Sequence, residues 1–192
     1  MKKIERVEVF MGSIKVGAVA QTMDGLCAFE YDSHYLNSGK SISPLELPLK
    51  NGVFIAKRQP FYGNFGVFDD CLPDGWGMLI LDRYLKSKGI NLHSLTILDR
   101  LSLVGSTGRG ALEFRPDRSV MNNEEYVDFA YMATETAKIL KSDDYQGSSI
   151  ERLYQQGGSP GGARPKVFVK FDDREWLVKF HYYPKLLKIQ SA

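Results

Sequence analysis

Val7, Val9 and Met11 alternate with polar or outward residues, and Ile14, Val16 and Ala18 alternate again after Gly12-Ser13. A two-residue period broken by a glycine-containing reversal predicts a β-hairpin. A third strand, about Leu26 to Tyr31, is predicted after the turn at Asp24-Gly25. From Asn37 to Phe68 the chain is rich in glycine, serine and proline with short apolar pieces such as "VFIA", which predicts short strands and long loops.

The period changes after Asp70. In "LPDGWGMLILDRYLKSKGI", Asp74 is placed to cap a helix, Trp76, Leu79, Ile80 and Tyr84 follow near helical spacing, and Gly89 can take the left-handed position that ends it. Ser94 can cap a second helix, Leu95 to about Leu103. A third is predicted from about Glu124 to Lys141, where Tyr126, Phe129, Ala130, Ala133, Ala137 and Leu140 share a face. Between them "GALEFRP" reads as a strand ended by Pro116. The stretch "KSDDYQGSSIERLYQQ" reads as a polar link. Behind it lies "GGSPGGARPK", Gly157 to Lys166, whose four glycines and two prolines fit neither a helix nor a central strand. Val167 and Val169 then alternate, Asp172-Asp173 reverse the chain, and Trp176, Val178 and Phe180 alternate on a return strand with Lys179 on its other face.

Composition narrows the class. A chain of 192 residues, 43% hydrophobic and 25% charged, holds one ordinary domain or two small ones with a core. A formal net charge of +2 gives none of the broad positive field of a free-standing nucleic-acid binder, so direct DNA binding is disfavoured. Cys27 and Cys71 have neither disulfide-framework nor zinc spacing and read as reduced, packed thiols. No apolar run has the length of a signal-peptide core or a membrane span, and the expectation is a cytoplasmic protein.

The order of glycine loop, strand, turn and strand with lysine suits phosphate binding. Small residues let backbone N–H groups converge on an anion, and a cation from the neighbouring strand adds charge. The loop is not a Walker A sequence, because G-x-x-x-x-G-K-[ST] fails at Pro165 and Val167. On these residues alone a nucleotide loop and a plain hinge stand equal. Asp69, Asp70 and Asp74 form a carboxylate group better read as a helix cap and loop solvation; His34, His93 and His181 lack ligand spacing, and Arg109 reads as an exposed turn residue.

Four stretches in this order, "CLPDGWGMLILDR", "LVGSTGRGALEFRP", "GGSPGGARPK" and "WLVKF", resemble the HipA family of bacterial serine/threonine kinases, toxins of HipA–HipB toxin–antitoxin systems. The resemblance runs from about Val7 to Phe180. It implies an α+β fold in two unequal parts: residues 1–145, a β-rich coupling module with helices, and 146–192, an incomplete kinase-like N-lobe. It implies ATP and magnesium as cofactors, nucleotide contacts from Gly161, Gly162 and Ala163 of the loop, a phosphate-binding Lys179 and autophosphorylation at Ser159. Its partners would be a HipB-like helix-turn-helix antitoxin, through which DNA is met only indirectly, an aminoacyl-tRNA synthetase as substrate, and, if the kinase is split, a separate chain that supplies the C-lobe. An apolar face of the hairpin at Phe168, Trp176 and Phe180 would be covered by a C-lobe in such kinases.

Phosphoryl transfer also needs a carboxylate for the substrate hydroxyl and acidic or amide ligands for magnesium. Downstream of Lys179, "FHYYPKLLKIQSA" contains no aspartate, glutamate or asparagine. No catalytic residue and no metal ligand is therefore assigned, and the expectation is a truncated HipA-like kinase inactive by itself. The alternative is a regulatory, antitoxin-like binding module that pairs with a separate kinase chain.

Overall fold

The alternating segments near the N-terminus form the centre of one antiparallel sheet. In the computed structural model, which describes residues 3–38, 40–120, 128–142, 150–157, 162–171 and 174–180, β1 (Arg6–Met11) pairs with β2 (Ile14–Gln21) and β2 with β3 (Cys27–Tyr31). A short β4 (Val53–Ile55) adds to β3 and β5 (Glu113–Arg115) to β1, giving the order β4-β3-β2-β1-β5. The fold is α+β, as the mixture of periods implies.

One detail departs from simple alternation. The β1–β2 register jumps from Val9↔Gly17 to Phe10↔Lys15, which leaves Val16 as an extra residue on β2. Val16 and Val19 are therefore both buried, whereas Ile14 is exposed. Two short helices belong to the same unit, α1 (Gly66–Asp69) and, after α2 (Gly75–Ser87), α3 (Ile97–Val104), which packs on β1, β2 and β5. Phe68 of α1 meets Phe29 at 5.5 Å and Phe114 at 6.2 Å between ring centroids, and these rings with Val7, Val9, Leu98 and Leu101 make the core. The cap of α3 is Thr96, not Ser94: Thr96 Oγ1 accepts from the Asp99 N–H while the Asp99 carboxylate accepts from the Thr96 N–H. Ser94 instead closes a 3-10 turn by donating to the Asn91 carbonyl at 2.6 Å.

The chain divides into two compact units, residues 1–73 with 91–121, and residues 74–90 with 122–192. The second contains α2 (Gly75–Ser87), α4 (Phe129–Lys141), α5 (Ile150–Gly157) and the hairpin of β6 (Lys166–Phe171) and β7 (Arg174–Lys179). This packing partition differs in kind from the two modules expected on either side of residue 145, since α2 comes early in sequence and packs with late elements.

α2 buries Trp76, Ile80, Leu81 and Leu85, and Gly89 has φ 71 just past its end. α5 falls within the stretch read as a polar link. Its Ile150, Leu153 and Tyr154, at i, i+3 and i+4, form one apolar face packed with α2, and the Tyr84 and Tyr154 rings stack at 4.7 Å. Lys88, the residue that caps the end of α2, pairs with Glu151 of α5 at 3.0 Å. α4 exists where the helix is predicted, with Asp128 as cap, but its buried face is Met132, Glu135, Thr136 and Ile139. Phe129, Ala130, Ala133 and Leu140 are exposed. Alanines contribute little area, so the longer Met132 and Ile139 set the inward face. The predicted start at Glu124 and Tyr126 lies outside the described residues.

Candidate functional site

The glycine-rich loop is held by the first turn of α2. Asp74 has the extended backbone of a helix N-cap, φ −122 and ψ 170, yet its carboxylate makes no capping bond to α2. Its Oδ1 instead accepts the Gly162 N–H at 2.6 Å, across 88 residues of sequence. The Trp76 N–H, one of the first-turn amides a helix leaves without an internal partner, donates to the Gly162 carbonyl at 3.2 Å. The Trp76 indole Nε1 donates to the Lys166 carbonyl at 3.0 Å, and Trp76 is 1% exposed, so that bond is shielded from water.

Gly75 explains how the two backbones approach so closely. It has φ 43, and a Cβ there would lie 2.8 Å from both the Ala163 nitrogen and the Gly162 carbonyl carbon. Only glycine fits both the left-handed backbone and the absent space. "PDGW" and "GGARPK" are thus two halves of one local structure.

The loop runs directly into the hairpin. Lys166 opens β6, is 5% exposed, and donates from Nζ to the Gly162 carbonyl at 3.2 Å. Lys179, on β7, is exposed and lies directly opposite Lys166 in the ladder, so both lysines leave the same face of the hairpin. The Phe180 N–H donates to the Pro165 carbonyl at 2.9 Å and closes the mouth of the pair. Val167 and Val169 are buried on the opposite face, while on β7 Trp176 is 49% and Leu177 44% exposed. Phe168 and Phe180 are half-buried. The exposed apolar residues of β7 therefore lie on opposite faces, Trp176 beside Val169 and Leu177 beside Phe168 on the lysine face.

Of the residues named from the sequence, Gly162, Ala163 and Lys179 are brought to this loop and hairpin; Gly162 (φ 93) and Ala163 are exposed. Ser159 and Gly161 lie outside the described residues. Asp74 belongs to the site through its carboxylate, where the sequence offered only a cap. Lys166 and Trp76 were missed. Lys166 was recoverable, because a reversal centred on Asp172-Asp173 pairs positions equidistant from it and sets Lys166 against Lys179. Trp76 carried no such signal, since its partners are about ninety residues away.

Elsewhere the candidate groups stay apart. Asp69 accepts from Asn64 Nδ2 at 3.3 Å at the end of α1, His34 and His93 lie in turns, His181 is outside the described residues, and Arg109 is exposed. Burial, reinforced by Asp69, pushes the Cys27 thiol up to about 12, and burial with Asp70 pushes Cys71 up to about 11, so neither is a poised nucleophile. Among the described residues no three His, Cys, Asp or Glu side chains are grouped to hold a metal ion, and no helix is long and apolar enough to cross a membrane.

Chemically the site offers anion recognition. An amide that already holds a carboxylate oxygen at 2.6 Å has the geometry to hold an anion, and two ammonium groups on one hairpin face supply the charge. These donors suit a phosphate; the described residues do not supply a magnesium site. The family model for the HipA N-terminal domain matches residues 7–115, more than half of the chain. No curated protein matches it.

Proposed function

We propose, for a chain that belongs to the HipA N-terminal domain family, that its second unit carries the phosphate-gripping part of a HipA-type kinase. Membership supports a toxin–antitoxin setting. In this reading a HipB-like antitoxin is the chain's partner. The single observation that carries the kinase reading is the path of the chain through Gly162 and Lys166 into a hairpin that sets Lys179 opposite Lys166. A loop amide and paired lysines grip the phosphates of ATP in this reading. Ser159, in the same loop, is the autophosphorylation site, and the transferred phosphoryl group goes to a protein serine, an aminoacyl-tRNA synthetase being the proposed substrate.

The chain by itself binds without turning over. Neither Gly162, Lys166 nor Lys179 can orient a hydroxyl for attack, and magnesium lacks a ligand set among the described residues. Affinity is weak for the same reason: a few charge-assisted hydrogen bonds at about 1.5–3 kcal/mol each are offset by ordering glycine-rich backbone at about 1–2 kcal/mol per residue. A Kd of about 1 mM, worth about 4 kcal/mol, is the expected scale.

Calorimetric titration of the purified chain with ATP tests this, beside Lys179→Ala. Saturable millimolar binding weakened about tenfold by the substitution supports the reading. Binding indifferent to Lys179, or radiolabel transferred from ATP to Ser159 by the chain alone, would refute the respective half. The family match on residues 7–115 also favours a second reading, in which the matched region works as an antitoxin-like binding module beside a separate kinase chain. In that case Lys179→Ala leaves association with the partner kinase intact.

A further inference from the structure

We infer that Asp74 is a built-in competitor for the loop's anion site, a carboxylate that occupies the Gly162 amide until a phosphate displaces it. The inference rests on the reading of the loop as phosphate-binding. Three observations carry it. First, the donor that a bound phosphate oxygen would use, the Gly162 N–H, is already engaged by the Asp74 carboxylate, whose Oδ1 accepts it at 2.6 Å in a charge-assisted hydrogen bond. One N–H cannot serve two anions at full strength.

Second, Asp74 has somewhere else to go. Its backbone already has the extended conformation of an N-cap, but its side chain is turned away from the first turn of α2. Aspartate at an N-cap ordinarily accepts from the N2 or N3 amide of its own helix. The Trp76 amide at N2 is engaged by the Gly162 carbonyl, so the N3 amide, that of Gly77, is the alternative partner; rotating the side chain from Gly162 to it exchanges one satisfied carboxylate for another, so release costs little. α2 has thirteen residues, and its positive end stabilises the carboxylate in both positions.

Third, the rest of the clamp does not depend on this contact. Trp76 still holds the Gly162 and Lys166 carbonyls, and Lys166 Nζ still holds Gly162, when Asp74 turns away. The loop keeps its place while its amide opens. Asp74 thereby makes the site closed in the resting chain, and a phosphate must bring enough binding energy through the lysines to take over the amide.

Two variants separate competition from support. Asp74→Ser keeps a good helix cap but is too short to hold Gly162, and Asp74→Asn keeps size and acceptor without the charge. Both are titrated with ATP beside the unaltered chain, and exchange of the Gly162 amide hydrogen is followed by NMR without ligand. The expected result is faster Gly162 exchange in Asp74→Ser, ATP binding about tenfold tighter in that variant, and a smaller gain in Asp74→Asn. Faster exchange with unchanged or weaker ATP binding would overturn competition and make Asp74 a support of the loop. Unchanged exchange would show that the contact does not hold the amide in solution, which also overturns it. Absence of ATP binding in all three forms would remove the phosphate reading itself, and this inference with it.

Discussion

Replacing Gly75 by alanine tests the clamp most directly. The new Cβ would sit 2.8 Å from the Ala163 nitrogen and the Gly162 carbonyl carbon, and 2.9 Å from the Ala163 Cα. All three are backbone atoms, so no flexible side chain can swing aside. The backbone at φ 43 adds a left-handed penalty of about 1–2 kcal/mol for any residue with a Cβ. Overpacking against a fixed neighbour adds about 1–3 kcal/mol, for a total of about 2–5 kcal/mol. Gly89→Ala provides the control. Gly89 has φ 71, but nothing lies within 4 Å of the place its methyl group would take, so it incurs the left-handed penalty alone. Urea unfolding of both variants, followed by tryptophan fluorescence and far-ultraviolet circular dichroism, gives the two destabilisations. Gly75→Ala should exceed Gly89→Ala by about 1–3 kcal/mol, and Trp76 emission should shift as its environment opens. Equal losses in the two variants would show that the loop does not press on α2 and would refute the clamp.

Thr96→Ala removes the oxygen that accepts the Asp99 N–H and should cost about 1 kcal/mol of unfolding free energy, with Thr96→Ser restoring most of it. Asp117 gives a pH signature: burial, its largest single influence, pushes its carboxyl up, but hydrogen bonds from Ser106 and Ser119 together outweigh burial and hold it below the usual carboxylate range. Its contribution is therefore complete above about pH 4 and lost as pH falls through the lowered folded value, and Asp117→Asn should flatten that acid limb of an unfolding-versus-pH curve. With the Cys27 thiol pushed up to about 12 and Cys71 to about 11, a thiol reagent at about pH 8 should label the native chain slowly and the unfolded chain quickly at both positions; rapid native labelling of Cys27 would contradict its burial.

The sequence was informative wherever a pattern is local. The β1–β2 hairpin, β3 after Gly25, β5 ended by Pro116 and the stop of α2 at Gly89 all follow from neighbours within a few positions. Reading failed where two local patterns compete. α4 has one stripe of alanines flanked by Phe129 and Leu140, and another set by Met132 and Ile139; counting apolar positions favours the first, while buried volume favours the second. α5 failed for the opposite reason. Three apolar residues in eight leave its average polar, although their spacing puts them on one face against α2. Ser94 was named as the cap of α3 because a serine precedes the apolar run; the pair that holds the position is Thr96 with Asp99 three residues later, a spacing the sequence does show.

The site shows a deeper reason for incomplete legibility. A glycine-rich loop has little structure of its own, because its residues lose much conformational freedom on folding and gain few side-chain contacts in return. What fixes Gly162 and Lys166 is an element that left the sequence about ninety residues earlier: the Asp74 carboxylate, the Trp76 amide and indole, and the missing Cβ of Gly75. None of these residues has a phosphate-binding appearance by itself. Asp74 has the wrong charge for a phosphate, and Trp76 reads as core. Together they supply the ordering that the loop cannot supply, through bonds whose partners are mostly backbone and therefore leave no trace in residue type. The anion binding proposed for the hairpin lysines and the stability of the first turn of α2 are consequently one problem, and a change at either end is felt at the other.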